Sequence, residues 1–193
     1  MKLVIINYGA GNTQSVKYAF QRLGINPVLS NNVDEIFSAD KVIFPGVGHA
    51  QAAMNELMAQ GLEKFIPQLT QPVLGICLGM QLLCQFSEEG NTQCLGIIND
   101  TVKKFEPLLK VPHMGWDGST TAPIKNAVFN NITEQVYFVH SYYVPINQYT
   151  IETCDYITPF SASIQKDNFY GCQYHPEKSG KVGEQILKNF LAL

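Results

Sequence analysis

The feature that most constrains the fold is the alternation of short apolar runs with amphipathic stretches along the first 90 residues. The strand-like runs are KLVIINY, NPVLS, KVIFPG and QPVLGI, and the helix-like stretches between and after them are TQSVKYAFQRLG, AQAAMNELMAQGLEKFI and LGMQLLCQF. Strands that are apolar on both faces and alternate with helices are typical of a parallel sheet covered by helices. The sequence therefore predicts an α/β fold with a mixed, mostly parallel central sheet and flanking helices.

The pattern changes from about residue 95 onward. Short strand-like segments separated by turns follow one another as GIINDTVKKF, AVFNNI, VYFVHSYYVP and FSASIQKDNFYGCQYHP, and the chain closes on the amphipathic stretch KVGEQILKNFLAL. This half predicts a short-strand, antiparallel or mixed extension of the same sheet, followed by a helix. Since no linker or internal repeat interrupts the 193 residues, we expect residues 1–193 to form one domain.

Composition excludes several classes of protein. Apolar residues make up 46% of the chain and charged residues 15%, which is typical of a globular protein, and a net charge of -3 gives no electrostatic footprint for nucleic acid. No run approaches the roughly 18 apolar residues of a membrane span, and the apolar run after Lys2 is too short for a signal peptide. We therefore expect a cytoplasmic protein that binds neither nucleic acid nor membrane.

The cysteines do not follow a metal-binding or disulfide pattern. There are five, an odd number, without CxxC spacing, and this predicts neither a zinc site nor a disulfide framework. Four of them are interpreted as buried or near-surface thiols: Cys84, Cys94, Cys154 and Cys172. No metal site is predicted.

Cys77 is different because it stands in GICLG, between a predicted strand and a predicted helix. In a nucleophile elbow the flanking glycines are needed because the turn is too sharp for side chains, and the nucleophile is exposed at the helix N-terminus. The N–H groups there favour a thiolate and can also receive an oxyanion. The alternative is a small buried hydrophobe, as most free cysteines are.

A second motif supplies the acid and base that a thiolate nucleophile needs. His175 lies in YHPEKSG, two residues before Glu177. In an extended segment, residues two apart project to the same side, and Pro176 disfavours helix at His175, so the carboxylate can orient the ring. In isolation HPE is more typical of a solvated turn, but together with the elbow it predicts a Cys-His-Glu site. His49, His113 and His140 have no carboxylate two residues away and are interpreted as structural or interfacial.

Two glycine-rich turns follow predicted strands. FPGVG, residues 44–48, is consistent either with a tight turn or with half of an oxyanion hole in which an N–H near Val47 joins that of Leu78. YGAGNTQ has Gly9 and Gly11 in a dinucleotide-like arrangement, but Gln14 replaces the third glycine and no acidic residue ends the second strand. No nucleotide cofactor is predicted, and no other cofactor is required.

The motifs together resemble the class I (triad) glutamine amidotransferases, along essentially the whole chain. Within that class they are similar to the glutaminase subunits that pair with a (β/α)₈-barrel cyclase, as carried by NYGAGNTQSVKYAFQRLG, FPGVG, VPHMGWDG, YFVHSYY and FYGCQYHPEKSGKVGEQILKNF. The resemblance implies hydrolysis of glutamine and transfer of ammonia to the barrel in histidine biosynthesis. It implies these roles: catalysis by Cys77, His175 and Glu177; an oxyanion hole at Val47 and Leu78; glutamine binding by Gly46, Gly48, Gln81, Ser141 and Tyr142; and a partner interface with Asn12, Trp116, Lys178 and Lys181.

Two departures from the usual pattern of the family keep other functions open. Asp117 stands where Asn is usual, and Asn99 and Asp100 stand where Pro and Gly are expected. They leave the triad untouched but bear on the identity of the partner. The alternatives are a paralogous glutaminase that supplies ammonia for amidation of a surface sugar, and a free-standing γ-glutamyl hydrolase with the same triad.

Overall fold

A computed structural model describes residues 1–118, 120–121, 126–129 and 134–193. The helices are α1 (Thr13–Arg22), α2 (Val33–Phe37), α3 (Ala50–Ala59), α4 (Leu62–Phe65), α5 (Leu78–Leu82) and α6 (Gly180–Ala192), with 3₁₀ turns at Ile66–Gln68 and Pro176–Lys178. The strands of the first half are β1 (Leu3–Ile6), β2 (Val28–Ser30), β3 (Lys41–Gly46), β4 (Val73–Cys77), β5 (Cys84–Ser87) and β6 (Thr92–Gln93). Those of the second half are β7 (Ile98–Lys104), β8 (His113–Gly118), β9 (Thr120–Thr121), β10 (Gln135–His140), β11 (Tyr142–Tyr143), β12 (Thr150–Asp155), β13 (Pro159–Lys166) and β14 (Phe169–Cys172).

The central sheet has eight strands in the order β2-β1-β3-β4-β14-β13-β12-β9. The first five run parallel to their neighbours, and β13, β12 and β9 continue the sheet in antiparallel pairing. A β8–β10 hairpin-like pair and a small sheet of β11-β7-β5-β6 flank it. The predicted mixed, mostly parallel sheet with an antiparallel extension is confirmed.

Two apolar cores lie on the two faces of this sheet. Alternate residues of β1 divide between them: Val4 and Ile6 belong to one core, Leu3 and Ile5 to the other. The first core takes up α2 to α5 and the second takes up α1 and α6. Burial on both faces explains why the parallel strands are continuous apolar runs rather than alternating ones.

Some predicted elements differ in the structure. The helix expected over LGMQLLCQF ends at Leu82, and the next residues form β5 because they pair with β7 in the small sheet. The helix expected over residues 50–66 is interrupted at Gly61, whose φ of +70° leaves the helical region and separates α3 from α4. In the segment AVFNNI, residues 127–129 form bends rather than a strand, and residues 130–132 lie outside the described residues. In the part of the chain that is described, no helix has the length and apolar character needed to cross a membrane.

Three glycines let the β4–α5 turn pack closely against its neighbours. A β-carbon on Gly79 would overlap the carbonyl oxygen of Phe44, at the end of β3. On Gly46 it would lie 2.7 Å from the backbone nitrogen of Gly79, and on Gly75 2.9 Å from the carbonyl oxygen of Gly79. Backbone therefore lies directly on backbone beneath the turn that carries Cys77.

Replacing Gly79 with alanine should destabilise the protein by about 2–3 kcal/mol, because the added methyl group can be accommodated only if backbone moves. Urea unfolding measures the loss as a shift of the midpoint. Gly118→Ala is the matched control, since no described atom lies within 4 Å of a β-carbon at that position, and its effect should stay within about 0.5 kcal/mol. Equal stability of the two variants would contradict close packing at Gly79.

Candidate active site

Cys77 ends β4 and precedes α5 in a backbone conformation that L-residues rarely adopt. Its φ is +54° and its ψ is -112°. A non-glycine residue in such a region costs on the order of 1–3 kcal/mol and persists only where the surroundings impose it. Here Gly75 and Gly79 allow β3 to support the turn, so the sulfur is held at the start of α5, as expected from the GICLG motif.

His175 and Glu177 form a buried pair. His175 Nδ1 lies 2.8 Å from Glu177 Oε1, and the two side chains are only 2% and 1% exposed. His175 follows β14 and Glu177 lies in the 3₁₀ turn Pro176–Lys178, which Gly183 of α6 contacts so closely that a β-carbon there would overlap the Pro176 carbonyl. The turn and the helix after it thus fix the pair in place.

The charge of His175 follows from its neighbours. Burial alone lowers the pKa of His175, but the interactions of the ring with Cys77 and Glu177 outweigh burial and raise the pKa to about 10. Nε2 is buried and has no nitrogen or oxygen partner among the described residues. A protonated ring with its Nε2–H free for a sulfur or a leaving group is the form expected at neutral pH.

Cys77 and His175 line one cavity of about 310 Å³. The expected glutamine-binding residues Gly48, Gln81, Ser141 and Tyr142 line it too, as do both oxyanion-hole candidates, Val47 and Leu78. Glu89, Pro112, Val139 and His140 complete the lining. The structure therefore brings together residues from six separate segments of the sequence around the sulfur.

Gly46 is placed differently from the other expected glutamine-binding residues. It does not line the cavity but lies buried beneath the elbow, against Gly79. Gly48, two residues on, has φ +95° and open space around its α-carbon. Within three residues the loop thus changes from Gly46, which is packed tightly against Gly79, to Gly48, which has no close neighbour at the β-carbon position.

Gln173 is a site residue that the sequence analysis missed. It is fully buried, its Nε2 lies 3.8 Å from the Cys77 sulfur, and its Oε1 accepts a hydrogen bond from Gln81 Nε2 at 2.9 Å. The second N–H of the Gln81 amide is donated to the carbonyl oxygen of Tyr142, also at 2.9 Å. The signal was available, since Gln173 lies two residues before His175 and projects to the same side of an extended segment.

The expected partner-interface residues lie on two parts of the surface near the pair. Trp116 is 53% exposed and its ring centroid lies 6.0 Å from that of Tyr137, while the Lys178 ammonium lies 5.9 Å from the centre of the Tyr137 ring. Lys181 is exposed on the first turn of α6. Asn12 caps α1 and lines a narrow cleft that also reaches His175 and Glu177.

The remaining histidines have other partners. The ring of His49 caps α3 by accepting from the Gln51 backbone nitrogen at 3.2 Å. His113 and His140 contact each other at the wall of the cavity and are considered below. Among the described residues, no group of three or more His, Cys, Asp and Glu is arranged to hold a metal ion.

Comparison with known proteins agrees with the fold and identifies the family. The model of the family described as glutamine amidotransferase class-I matches residues 4–193. The chain therefore belongs to the class-I glutamine amidotransferase family, which confirms the resemblance drawn from the motifs. A putative GMP synthase subunit from Thermoplasma acidophilum has a similar solved structure, with a TM-score of 0.76 at 18% identity over 100% of this chain and 92% of that one. At that identity the likeness concerns the fold alone.

Full-length relatives place the chain on one branch of this family. It is 55% identical over 198 residues to the imidazole glycerol phosphate synthase subunit HisH of Bacteroides fragilis strain YCH46, with 100% of both chains covered. It is 48% identical over 197 residues to the same subunit of Escherichia coli K12, again with 100% of both chains covered. The branch is that of the HisH subunits.

Proposed function

We propose that the chain hydrolyses glutamine to glutamate and ammonia through Cys77, His175 and Glu177, and that it passes the ammonia to a (β/α)₈-barrel cyclase subunit of imidazole glycerol phosphate synthase. The observation that carries the proposal is the buried His175–Glu177 pair beside a cysteine held at a strained strand–helix turn. The HisH relatives support histidine biosynthesis as its setting. Residues 1–193 are proposed to act as one glutamine amidotransferase domain.

The reaction begins at the Cys77 sulfur. The positive charge of His175 favours the thiolate, which attacks the side-chain carboxamide carbon of glutamine and forms a tetrahedral intermediate with negative charge on oxygen. Leu78, at the N-terminus of α5, and the Val47–Gly48 loop supply backbone N–H groups at the cavity wall for that charge. Each such donor contributes roughly 10² to 10³ in rate.

Proton transfer completes the cycle. His175 gives its Nε2 proton to the departing nitrogen, so that ammonia leaves and a γ-glutamyl thioester remains on Cys77. The neutral ring then takes a proton from water, which attacks the thioester and releases glutamate and the sulfur. Glu177 holds the Nδ1–H throughout and stabilises the charged ring.

The glutamine site is proposed to be Gln81, Gly48, Ser141 and Tyr142. Both N–H groups of the Gln81 amide are donated to protein acceptors, Tyr142 O and Gln173 Oε1. The amide oxygen of Gln81 is therefore the group left to accept a hydrogen bond from an N–H of the substrate. Such a site disfavours ligands that lack the donor, because the buried acceptor would be unpaired.

Gln173 offers a test of how the site supports the thiolate. Gln173→Glu keeps an acceptor for Gln81 but replaces the N–H that faces the sulfur with a carboxylate oxygen. We expect the pH profile of Cys77 alkylation by iodoacetamide to move to higher pH, and kcat for glutamine to fall by about tenfold, since one charge-assisted contact is lost. Gln85→Glu, the same change on the exposed face of β5, should leave both unchanged. An unmoved alkylation profile in Gln173→Glu would show that the contact with sulfur has no chemical consequence.

The partner surface is proposed to include the cluster of Trp116, Tyr137 and Lys178, together with Asn12 and Lys181. An indole, half exposed beside a lysine, is the kind of group that dominates protein interfaces. The cluster lies next to the turn that carries Glu177, so a protein docked there would be close to the site of ammonia release.

The proposed function is tested by measuring glutamate release from glutamine by the purified chain, with and without a histidine-pathway barrel subunit plus its nucleotide substrate. We expect near silence for the chain alone and strong stimulation by the pair. Absence of stimulation in a folded protein would indicate a different acceptor, with Asp117 and Asp100 the first positions to question. Brisk hydrolysis by the chain alone would indicate a free-standing hydrolase.

A further inference from the structure

A second series of polar contacts, referred to below as the polar chain, ends at the wall of the cavity. Asp117 Oδ2 lies 3.1 Å from His113 Nε2, His113 Nδ1 lies 3.1 Å from His140 Nε2, and His140 Nδ1 lies 2.8 Å from the carbonyl oxygen of Tyr142. The two rings are register partners across the β8–β10 pair. His113 and His140 are buried, and the side chain of Asp117 is 37% exposed. The chain thus runs from the surface to the wall of the glutamine cavity.

The end of this chain holds a group of the proposed substrate site. The Tyr142 carbonyl accepts from His140 Nδ1 at 2.8 Å and from Gln81 Nε2 at 2.9 Å, so both of its lone pairs are used. Gln81 in turn presents its amide oxygen to the cavity. A change in the His140 bond therefore reaches Gln81 through a single carbonyl group.

The number of hydrogens carried by Asp117, His113 and His140 determines whether all three contacts can be hydrogen bonds. The three contacts need three hydrogens, one in each gap, whichever tautomers the rings adopt. An ionised Asp117 and two neutral imidazoles supply only two. The Tyr142 carbonyl can only accept, so one hydrogen must lie on His140 Nδ1. The missing hydrogen then leaves one of the other two contacts unpaired: either two ring lone pairs face each other 3.1 Å apart, or the Asp117 carboxylate faces a lone pair on His113 Nε2 at the same distance.

The surroundings of His113 determine the pH at which the third proton binds. Burial lowers the pKa of His113, and the carboxylate of Asp117 opposes that shift without cancelling it. The ring stacks on Tyr156, with centroids 4.0 Å apart, and on Phe138, at 4.9 Å. Burial first, then the carboxylates of Asp117 and Asp155, raise the pKa of the neighbouring Cys154 thiol to about 12, so that thiol does not titrate near neutrality.

The surroundings of His140 make it the harder of the two rings to protonate. Burial above all, together with the charges of His113 and His175, lowers the pKa of His140 to about 3, although its hydrogen bond to the Tyr142 carbonyl opposes the shift. His175, with its pKa of about 10, stays protonated from pH 5 to pH 8. The extra proton therefore enters through the Asp117–His113 end of the chain, and it does so at mildly acidic pH because the pKa of His113 lies below its ordinary value of 6.5.

We propose that Asp117, His113 and His140 are positioning residues that take up one shared proton, and that this proton sets how firmly Tyr142 and Gln81 hold glutamine. The proposal rests on the proposed function for its substrate. Asp117 is essential to it because a carboxylate brings no hydrogen of its own, whereas an asparagine amide would donate to His113 Nε2 and complete the chain without an added proton.

The first experiment counts the proton without using activity. Two-bond ¹H–¹⁵N NMR spectra of the imidazole rings report which nitrogens of His113 and His140 carry hydrogen. As the pH falls from about 8 to about 5 we expect the wild-type rings to gain one hydrogen between them, and we expect Asp117→Asn to hold its ring hydrogens unchanged over the same range. Asp155→Asn is the matched control, since it removes a nearby carboxylate that lies outside the chain and should titrate like the wild type.

The second experiment measures KM for glutamine over the same pH range, with the barrel subunit present. For the wild type KM should fall by roughly fivefold toward low pH, the effect of one restored hydrogen bond, whereas Asp117→Asn should keep a low and constant KM. Identical ring titrations in the wild type and Asp117→Asn would overturn the proposal. A wild-type KM for glutamine that stays constant over the pH range in which the rings are shown to titrate would also overturn it. If the ring titrations differ but no glutamine is hydrolysed with any partner, the shared proton stands, and both the proposed function and the role of the proton in glutamine binding are rejected.

Discussion

Cys77→Ala should abolish glutamine hydrolysis in the presence of the barrel subunit, lowering kcat by at least about 10⁴-fold to the background rate. No other group can form the thioester, because the remaining cysteines line no part of the cavity and lie buried among apolar side chains. The loss is expected to be this large because the reaction proceeds through a covalent bond to the Cys77 sulfur, which alanine cannot form. Glutamate release under saturating glutamine measures it.

Two controls separate chemistry from structure in that experiment. Cys94→Ala removes a buried thiol from one of the two cores and should retain nearly full activity. Binding of Cys77→Ala to the barrel subunit, followed by analytical ultracentrifugation, should equal that of the wild type. Residual hydrolysis near the wild-type rate in Cys77→Ala would reject the cysteine as nucleophile.

Glu177→Gln should lower kcat by about 10³-fold, with KM for glutamine little changed. The amide cannot stabilise the charged ring, and it permits the wrong tautomer of His175, in which Nε2 lacks the hydrogen needed by the leaving nitrogen. The amide has nearly the same shape as the carboxylate and can keep the 2.8 Å contact between Nδ1 and Oε1, so the fold should persist. Activity within threefold of the wild type would remove Glu177 from the catalytic machinery.

The same variant has a second expected signature in stability. The pKa of His175 is raised from 6.5 to about 10 in the folded protein, so the stabilisation it provides is fully present below pH 6.5 and is lost as the pH rises toward 10. Over that window one linked proton makes the free energy of unfolding fall by about 1.4 kcal/mol per pH unit. Urea unfolding at several pH values should show a shallower slope in Glu177→Gln. An unchanged slope would mean that the carboxylate does not hold the charge of the ring.

The sequence predicted those parts of the site that depend on local pattern. The elbow follows from a strand, two glycines and a cysteine within five residues. The contact between His175 and Glu177 was expected from the period-two geometry of an extended segment, but the structure makes it through the 3₁₀ turn Pro176–Lys178 instead. The parallel strands were recognised because burial on both faces makes them continuous apolar runs. Each of these signals lies within one short segment, where the chemistry of neighbouring residues decides the structure.

The parts that were missed depend on pairing between distant segments. HMGWDG contains Gly and Asp, which disfavour strands, yet it forms β8 because β10 pairs with it. Only that pairing places His113 against His140. Residues four apart in a regular strand are separated by about 13 Å, so the contact between Asp117 and His113 is not evident from the sequence. Gly115 between them has φ +140° and interrupts the extended geometry.

Gly46, the tightly packed glycine at the end of β3, limits which part of the loop over residues 46–48 can move. A β-carbon on Gly46 would lie 2.7 Å from the Gly79 nitrogen, so the backbone of Gly46 has no room to move toward α5. Val47 is 38% exposed and Gly48 has free space around it. Under the proposed function, a peptide that rotates toward the substrate oxygen would therefore belong to Val47 or Gly48, and a docked partner would switch the proposed oxyanion hole at these two residues while the nucleophile stays fixed.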